Sequence, residues 1–160
     1  MLSNRASILA ELPRGGAPPS FDGYDAWEAW VERLVRLGVM PDYTRVWWDA
    51  RPHPRLGTLE IRVADQPTAL ERTRLIVRLV RDLVATAPTS GAPRADYLQN
   101  RWAAARSGLN ATLLHPDGEQ AVTARELARE LLGAEPPEPE AHAQLAVGNV
   151  AANLVARTVG

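Results

Sequence analysis

The residues best suited to chemistry crowd into one stretch, Arg45 to Arg62, which holds Arg45, Asp49, Arg51, His53, Arg55, Glu60 and Arg62. Thr44–Arg51 (TRVWWDAR) and Thr58–Ala64 (TLEIRVA) alternate in polarity, which predicts two strands joined by the loop PHPRLG and paired antiparallel. The alternation puts Val46, Trp48 and Ala50 on one face with Leu59, Ile61 and Val63. It puts Arg45, Trp47, Asp49 and Arg51 on the other with Thr58, Glu60 and Arg62. Charged groups on both strands of one face cost desolvation energy if covered, unless they are paired or bound to something. Such an array can hold a divalent cation through Glu60. It can hold oxyanions through its arginines, whose planar fork grips phosphate and carboxylate bidentately. Plainer readings compete. Glu60 and Arg62 also make sense as a half-exposed ion pair worth at most ~1 kcal/mol. His53 makes sense as an ordinary loop residue, and Trp47 and Trp48 as packing.

Composition excludes several other chemistries. Cysteine is absent, so disulfides, thiolate nucleophiles and zinc–thiolate or iron–sulfur sites are ruled out. All 18 cationic side chains are arginine, which rules out Schiff-base chemistry and the lysine of a phosphate-binding P-loop. Neither G-x-S-x-G nor a Gly-rich dinucleotide loop is present. His53, His115 and His142 have no metal-ligand spacing. The net charge of −1 argues against a general nucleic-acid or acidic-lipid binder. No apolar run approaches the ~18 residues of a membrane span, and no signal-peptide core precedes the first helix, so a cytoplasmic protein is expected. A chain of 160 residues is long enough for one domain with its own core.

The elements that must position the polar strands read as follows. A short helix around Asn4–Leu12 precedes a Pro/Gly loop. YDAWEAWVERLVRLG is a helix from Tyr24, its apolar face built on Trp27, Trp30, Val31 and Leu34, and Gly38 stops it. Ala69–Thr86 is the strongest helix, with an apolar stripe of Thr73, Ile76, Val77, Val80, Leu83 and Val84. Its Arg74, Arg78 and Arg81 read as a solvated face. After the loop Pro88–Arg94 comes a helix over Ala95–Arg106. Leu113–Val122 reads as a hairpin turning at Asp117–Gly118. Thr123 and Glu126 form a capping box that opens a helix to Leu132. Residues 133–140 are an acidic, Pro-rich linker, and Ala141–Arg157 closes the chain as a helix. The fold class expected is α+β, an antiparallel sheet with helices packed on one face.

With these residues placed, a resemblance emerges. PDYTRVWWDARPHPRLGTLEIRVADQPT (Pro41–Thr68) closely resembles the carboxylate–amine ligase family, the type 2 glutamate–cysteine ligases. SNRASILAELPRGGAPPSF, NRWAAARSGLNATLLHPDG and TARELARELL agree with it, so the resemblance covers Ser3 to Leu132. It implies part of a glutamine synthetase-like catalytic fold, in which a curved antiparallel sheet holds ATP and Mg²⁺ on its concave face. By that resemblance Glu60 is a Mg²⁺ ligand and Arg62 the catalytic arginine at the transferring phosphoryl group. Arg51 and Arg55 become candidates for nucleotide-phosphate contacts. Arg5, Asn100 and Arg101 fall in family-like segments without an assigned role. The implied substrates are glutamate and an amine such as cysteine, joined through an acyl phosphate.

By the same resemblance, family members are about twice this length, and their N-terminal half carries a Glu-rich metal-binding strand and a histidine-containing strand. The resemblance therefore implies the C-terminal half only, with residues 1–132 the C-terminal half of the catalytic domain, inactive by itself, associating with its own copies or with a missing N-terminal half. A non-catalytic nucleotide- or protein-binding remnant of the same fold is the alternative. A plain α+β domain with a solvated polar face is the third.

Overall fold

The computed structural model describes residues 3–65, 67–86 and 93–133. The linker expected after Gly133, the helix expected over 141–157 and most of the loop before Arg94 lie outside the described residues. The elements run α1 (Asn4–Glu11), β1 (Gly15–Gly16), α2 (Tyr24–Arg36), β2 (Trp47–Trp48), β3 (Ala50–His53), β4 (Thr58–Ile61), α3 (Leu70–Thr86), α4 (Arg94–Ser107), β5 (Thr112–Leu114), β6 (Ala121–Thr123) and α5 (Ala124–Leu132). This is an α+β arrangement of helices and small sheets.

Each helix begins where its sequence supplies a cap or a break. Ser3 caps α1, its hydroxyl accepting from the Ala6 N–H at 3.2 Å. α2 starts after Gly23 and closes at Leu37 and Gly38, where φ of +70° suits a residue without Cβ. Thr123 and Glu126 form the expected reciprocal capping box at α5. Trp27 and Val31 of α2 are buried with Met40, Val46 and Trp48, and Phe21 and Trp30 pack on that cluster. Trp30 stacks on Trp48 with ring centroids 5.1 Å apart. A contact of that kind contributes ~0.5–1.5 kcal/mol beyond the area it buries.

The expected strand Thr44–Arg51 is not one strand. Tyr43–Arg45 is a 3-10 turn, and the extended chain that follows changes partners at Asp49. β2 pairs in parallel with β1, Gly15 opposite Trp47 and Gly16 opposite Trp48. β3 pairs antiparallel with β4, Ala50 opposite Ile61 and Arg51 opposite Glu60. The Asp49 N–H donates to Gly16 O at 2.8 Å, while its carbonyl accepts from the Arg62 N–H at 2.7 Å. One residue thus joins two ladders. β5 and β6 form the expected hairpin, with Gly118 at φ +80° in its turn.

The apolar face of the β3–β4 hairpin is covered as expected. Ala50 and Val63 are buried with Ala17 and with Tyr97 of α4, and Leu59, Ile61 and Val80 of α3 pack against them. The apolar stripe expected on α3 needs correction. Leu79 and Leu83 are its buried residues, whereas Val77 and Val84 stand exposed. Among the described residues, no helix is long and apolar enough to cross a membrane.

Candidate functional site

The polar face of the β3–β4 hairpin brings three of the four predicted site residues together. Arg51 and Glu60 are cross-strand partners, and Arg62 lies two residues beyond Glu60 on the same face. Arg51 Nε donates to Glu60 Oε2 at 2.8 Å, and Arg62 Nη1 donates to Glu60 Oε1 at 2.6 Å. One carboxylate is therefore held by a guanidinium on each oxygen. The Glu60 side chain keeps 33% of its surface exposed, against 7% for Arg51 and 14% for Arg62, so the acid is the open member of the triad. The Arg62 guanidinium also lies over the Trp47 ring, 5.0 Å from its centroid.

The arginines are held to different degrees. Arg51 Nη1 donates to the carbonyls of Tyr43, Thr44 and Val46 at 3.3, 2.7 and 2.9 Å. It ties the chain before β2 to the hairpin, and its guanidinium sits 5.5 Å from the Tyr43 ring centroid. Arg62 Nε is buried without a hydrogen-bond partner among the described residues. Arg55, the fourth predicted residue, is exposed in the turn Pro54–Gly57 and is not part of the triad.

Asp49, expected beside Arg51 on the polar face, points elsewhere. It is fully buried, accepting from the Tyr97 hydroxyl of α4 and lying 2.7 Å from Arg101 Nε, with Arg101 Nη2 at 3.2 Å. Burial and the neighbouring Asp49 charge push the Tyr97 phenol well above its ordinary value, so it stays protonated as a donor. Arg5 donates to the carbonyls of Ala64 and Arg62 at 3.1 and 3.2 Å, gripping the chain just past β4. Asn100 clamps Leu114 of β5 through both its N–H and its carbonyl, each at 2.7 Å. Sequence reasoning left these residues without a role. The signal was their polarity within apolar-patterned segments, which marks buried polar groups that need partners.

A cleft of about 480 Å³ opens at the tip of the hairpin, lined by Tyr24, Pro52, His53, Pro54, Thr58 and Leu59 with Gly23 and Gly57. His53 Nδ1 is buried there without a hydrogen-bond partner among the described residues. His53 and Thr58 share a face with Arg51 and Glu60, so the cleft adjoins the triad.

The donor set bears on metal binding. Mg²⁺ takes a near-octahedral shell of oxygens. Glu60 offers one carboxylate, both of whose oxygens are engaged by arginine, and among the described residues no group of three or more His, Asp or Glu is placed to hold a metal ion. The described residues do not compose a metal centre by themselves. Two guanidinium groups around one half-buried acid leave a net positive charge on this face, which suits an oxyanion better.

An α+β domain presenting an acid–arginine pair on an antiparallel hairpin is the class defined so far. Comparison with known proteins narrows it. The family described as glutamate–cysteine ligase family 2 matches residues 2–152. Two Rubrobacter xylanophilus proteins are among those it resembles. The one named "Putative glutamate--cysteine ligase 2-1" is 43% identical over 133 residues, 79% of this chain and 35% of that protein. The one named "Putative glutamate--cysteine ligase 2-3" is 42% identical over 135 residues, 83% of this chain and 37% of that protein. A Rhodospirillum rubrum protein named "Putative glutamate--cysteine ligase 2" is 36% identical over 138 residues, 81% and 36% respectively. The chain belongs to glutamate–cysteine ligase family 2. It spans little more than a third of the length of these relatives, less than the half expected from the sequence.

Proposed function

We propose that this chain supplies one wall of the catalytic site of an ATP-dependent carboxylate–amine ligase with a glutamine synthetase-like fold. The observation that carries this reading is the Arg51–Glu60–Arg62 triad on the open face of the hairpin. The reaction has two steps. The substrate carboxylate, which the resemblance makes glutamate's γ-carboxylate, attacks the terminal phosphorus of ATP and expels ADP. The amine, cysteine or a related amino compound, then attacks the acyl carbon, loses a proton and expels phosphate, leaving an amide.

Both steps gather negative charge on phosphoryl oxygens, and fixed cationic donors offset that charge without reorganising. We assign that task to Arg62, which lies beside Glu60 on the polar face and whose ring neighbour Trp47 restricts its swing. Arg51 keeps Glu60 and the preceding loop in place and adds positive potential. We assign Arg55, exposed at the hairpin tip, to the nucleotide phosphates. Were Mg²⁺ bound, Glu60 would offer it a single carboxylate in competition with its two arginines, and the other ligands would have to come from the nucleotide, from water and from sequence beyond these residues.

That division of labour leaves the isolated chain with little or no ligation. The test is release of phosphate from ATP in the presence of Mg²⁺, glutamate and cysteine. We expect no turnover from the chain alone. We expect turnover when it is fused to the portion of a Rubrobacter relative that it does not cover, and loss of that turnover in Arg62→Ala. Ligation by the chain alone, or a fusion indifferent to Arg62, would refute the proposal. The remnant reading gains if nucleotide binds but no fusion turns over.

A further inference from the structure

The two strands of the β3–β4 hairpin are not covered alike. On the apolar face Ala50 and Pro52 of β3 are buried, whereas their β4 partners Ile61 and Leu59 pack on the same core yet stay half-buried. On the polar face the Arg51 side chain is 7% exposed and that of Glu60, opposite it, 33%. Cover thins toward β4 on both sides of the sheet.

The backbone repeats this asymmetry. In an antiparallel pair, residues whose N–H and C=O meet the partner strand alternate with residues whose groups point away from it. The Arg62 N–H donates to Asp49 O at 2.7 Å, which fixes the phase. Thr58 and Glu60 therefore face β3, while Leu59 and Ile61 present their N–H and C=O outward, as Ala50 and Pro52 do on the other strand. Pro52 has no N–H to offer, so the outer edge of β3 is closed to a further strand. β4 carries no such block. The sheet ends at β4, and among the described residues no strand takes up the outward groups of Leu59 and Ile61. An open edge is a template for pairing, and an isolated two-stranded hairpin is marginal until further strands join it.

Two occupants compete for that edge. A second copy pairing through its own β4, antiparallel and centred on the strand, would set Glu60 directly opposite its counterpart, and like charges so placed repel. The other occupant is the rest of the family's chain. This chain covers 35%, 37% and 36% of the three relatives, so most of each relative lies outside it.

We propose that the outer edge of β4 receives an extended strand from the part of the ligase that this chain does not cover. That strand is apolar where it lies beside Leu59 and Ile61 and polar where it lies beside Glu60 and Arg62, because it continues the two faces that β4 already has. It runs about 4.8 Å from β4 and extends the surface that carries the triad. The inference rests on the reading of the chain as one wall of a larger catalytic site.

Amide hydrogen exchange at single residues, read by NMR, tests it. In a dilute solution of the 160-residue chain, the amides of Leu59 and Ile61 should exchange roughly tenfold or more faster than those of Glu60 and Arg62, whose protection reports a folded hairpin. In the fusion to the uncovered portion of the Rubrobacter relative, Leu59 and Ile61 should slow by roughly 100-fold. In the complete Rubrobacter protein, which needs no fusion to fold, the amides aligned with Leu59 and Ile61 should be as slow as the one aligned with Glu60. Slow exchange of Leu59 and Ile61 in the dilute chain, or fast exchange in the complete relative, would overturn the proposal. Protection in the chain alone that grows with its concentration would overturn it in favour of a second copy. Protection in a fusion that does not turn over supports the edge pairing and counts against the ligase reading. Turnover with both amides still fast overturns the pairing and leaves the ligase reading standing.

Discussion

Glu60 anchors two guanidinium groups, so replacing it disturbs more than one contact. In Glu60→Gln, Arg51 and Arg62 lose their counter-charge on a partly solvated face. The expected loss of unfolding free energy is about 1–2 kcal/mol, less than for a fully buried pair because solvent reaches the acid. Urea denaturation measures it, and a variant as stable as the parent would show the triad to be energetically idle. Asp49 is the contrasting case. Its charge is fully buried and shared by Arg101 and Tyr97, so Arg101→Met should cost about 3–5 kcal/mol by stranding it. Asp49→Asn/Arg101→Met should cost less than the sum of the two single changes, because each removes the same interaction. His115 titrates nearer neutrality. Burial pulls its pKa down, but hydrogen bonds and charge from Asp117 and Glu130 outweigh that and raise it above 6.5. A raised folded-state pKa adds stability that is fully present below the unfolded value and is lost as pH rises through the folded one. The difference in Tm between the parent and His115→Gln should therefore be largest at about pH 4.5–6, where Asp117 is ionised, and should fade on the alkaline side. A pH-independent difference would contradict it.

At the scale of elements, β1 is short but demanding. A Cβ on Gly15 would sit 2.2 Å from Leu9 O and 2.8 Å from Leu12 O, both backbone atoms that cannot swing aside. Gly15→Ala should therefore shift the end of α1 or break the β1–β2 pairing, at a cost of about 2–4 kcal/mol in thermal or chemical unfolding. An unchanged midpoint would show that this loop yields. Most elements could be read from the chain because local signals set them: Ser3, Gly38 and Thr123–Glu126 mark helix ends, and Leu59, Ile61 and Val63 mark the face that α3 and α4 cover. The unreadable parts are those that non-local partners decide. TRVWWDAR alternates as one strand would, yet Asp49 divides it, because its backbone serves Gly16 on one side and Arg62 on the other. Val77 and Val84 fit the apolar period of α3 as well as Leu79 does, and periodicity cannot say which side of a broad stripe meets the body of the protein. Glu60 and Arg62 were legible as a pair on one face. That both arginines would converge on Glu60 depended on the β3–β4 register, which no local signal sets.

For the molecule as a whole, the central claim is that the open face of the hairpin receives the phosphates of ATP. Val80 of α3 and Tyr97 of α4 pack on the apolar face, the Asp49–Arg101–Tyr97 group fixes the strand crossing behind it, and the other side presents Glu60 between two cations. Arg62 is the more exposed of the two arginines. Calorimetric titration of the purified chain with ATP in the presence of Mg²⁺, set beside Arg62→Ala, tests this most directly. A charge-assisted contact of about 1.5–3 kcal/mol predicts measurable binding by the parent and an affinity roughly 10- to 100-fold weaker in Arg62→Ala. Equal affinities for the two proteins, or no binding by the folded parent, would contradict it.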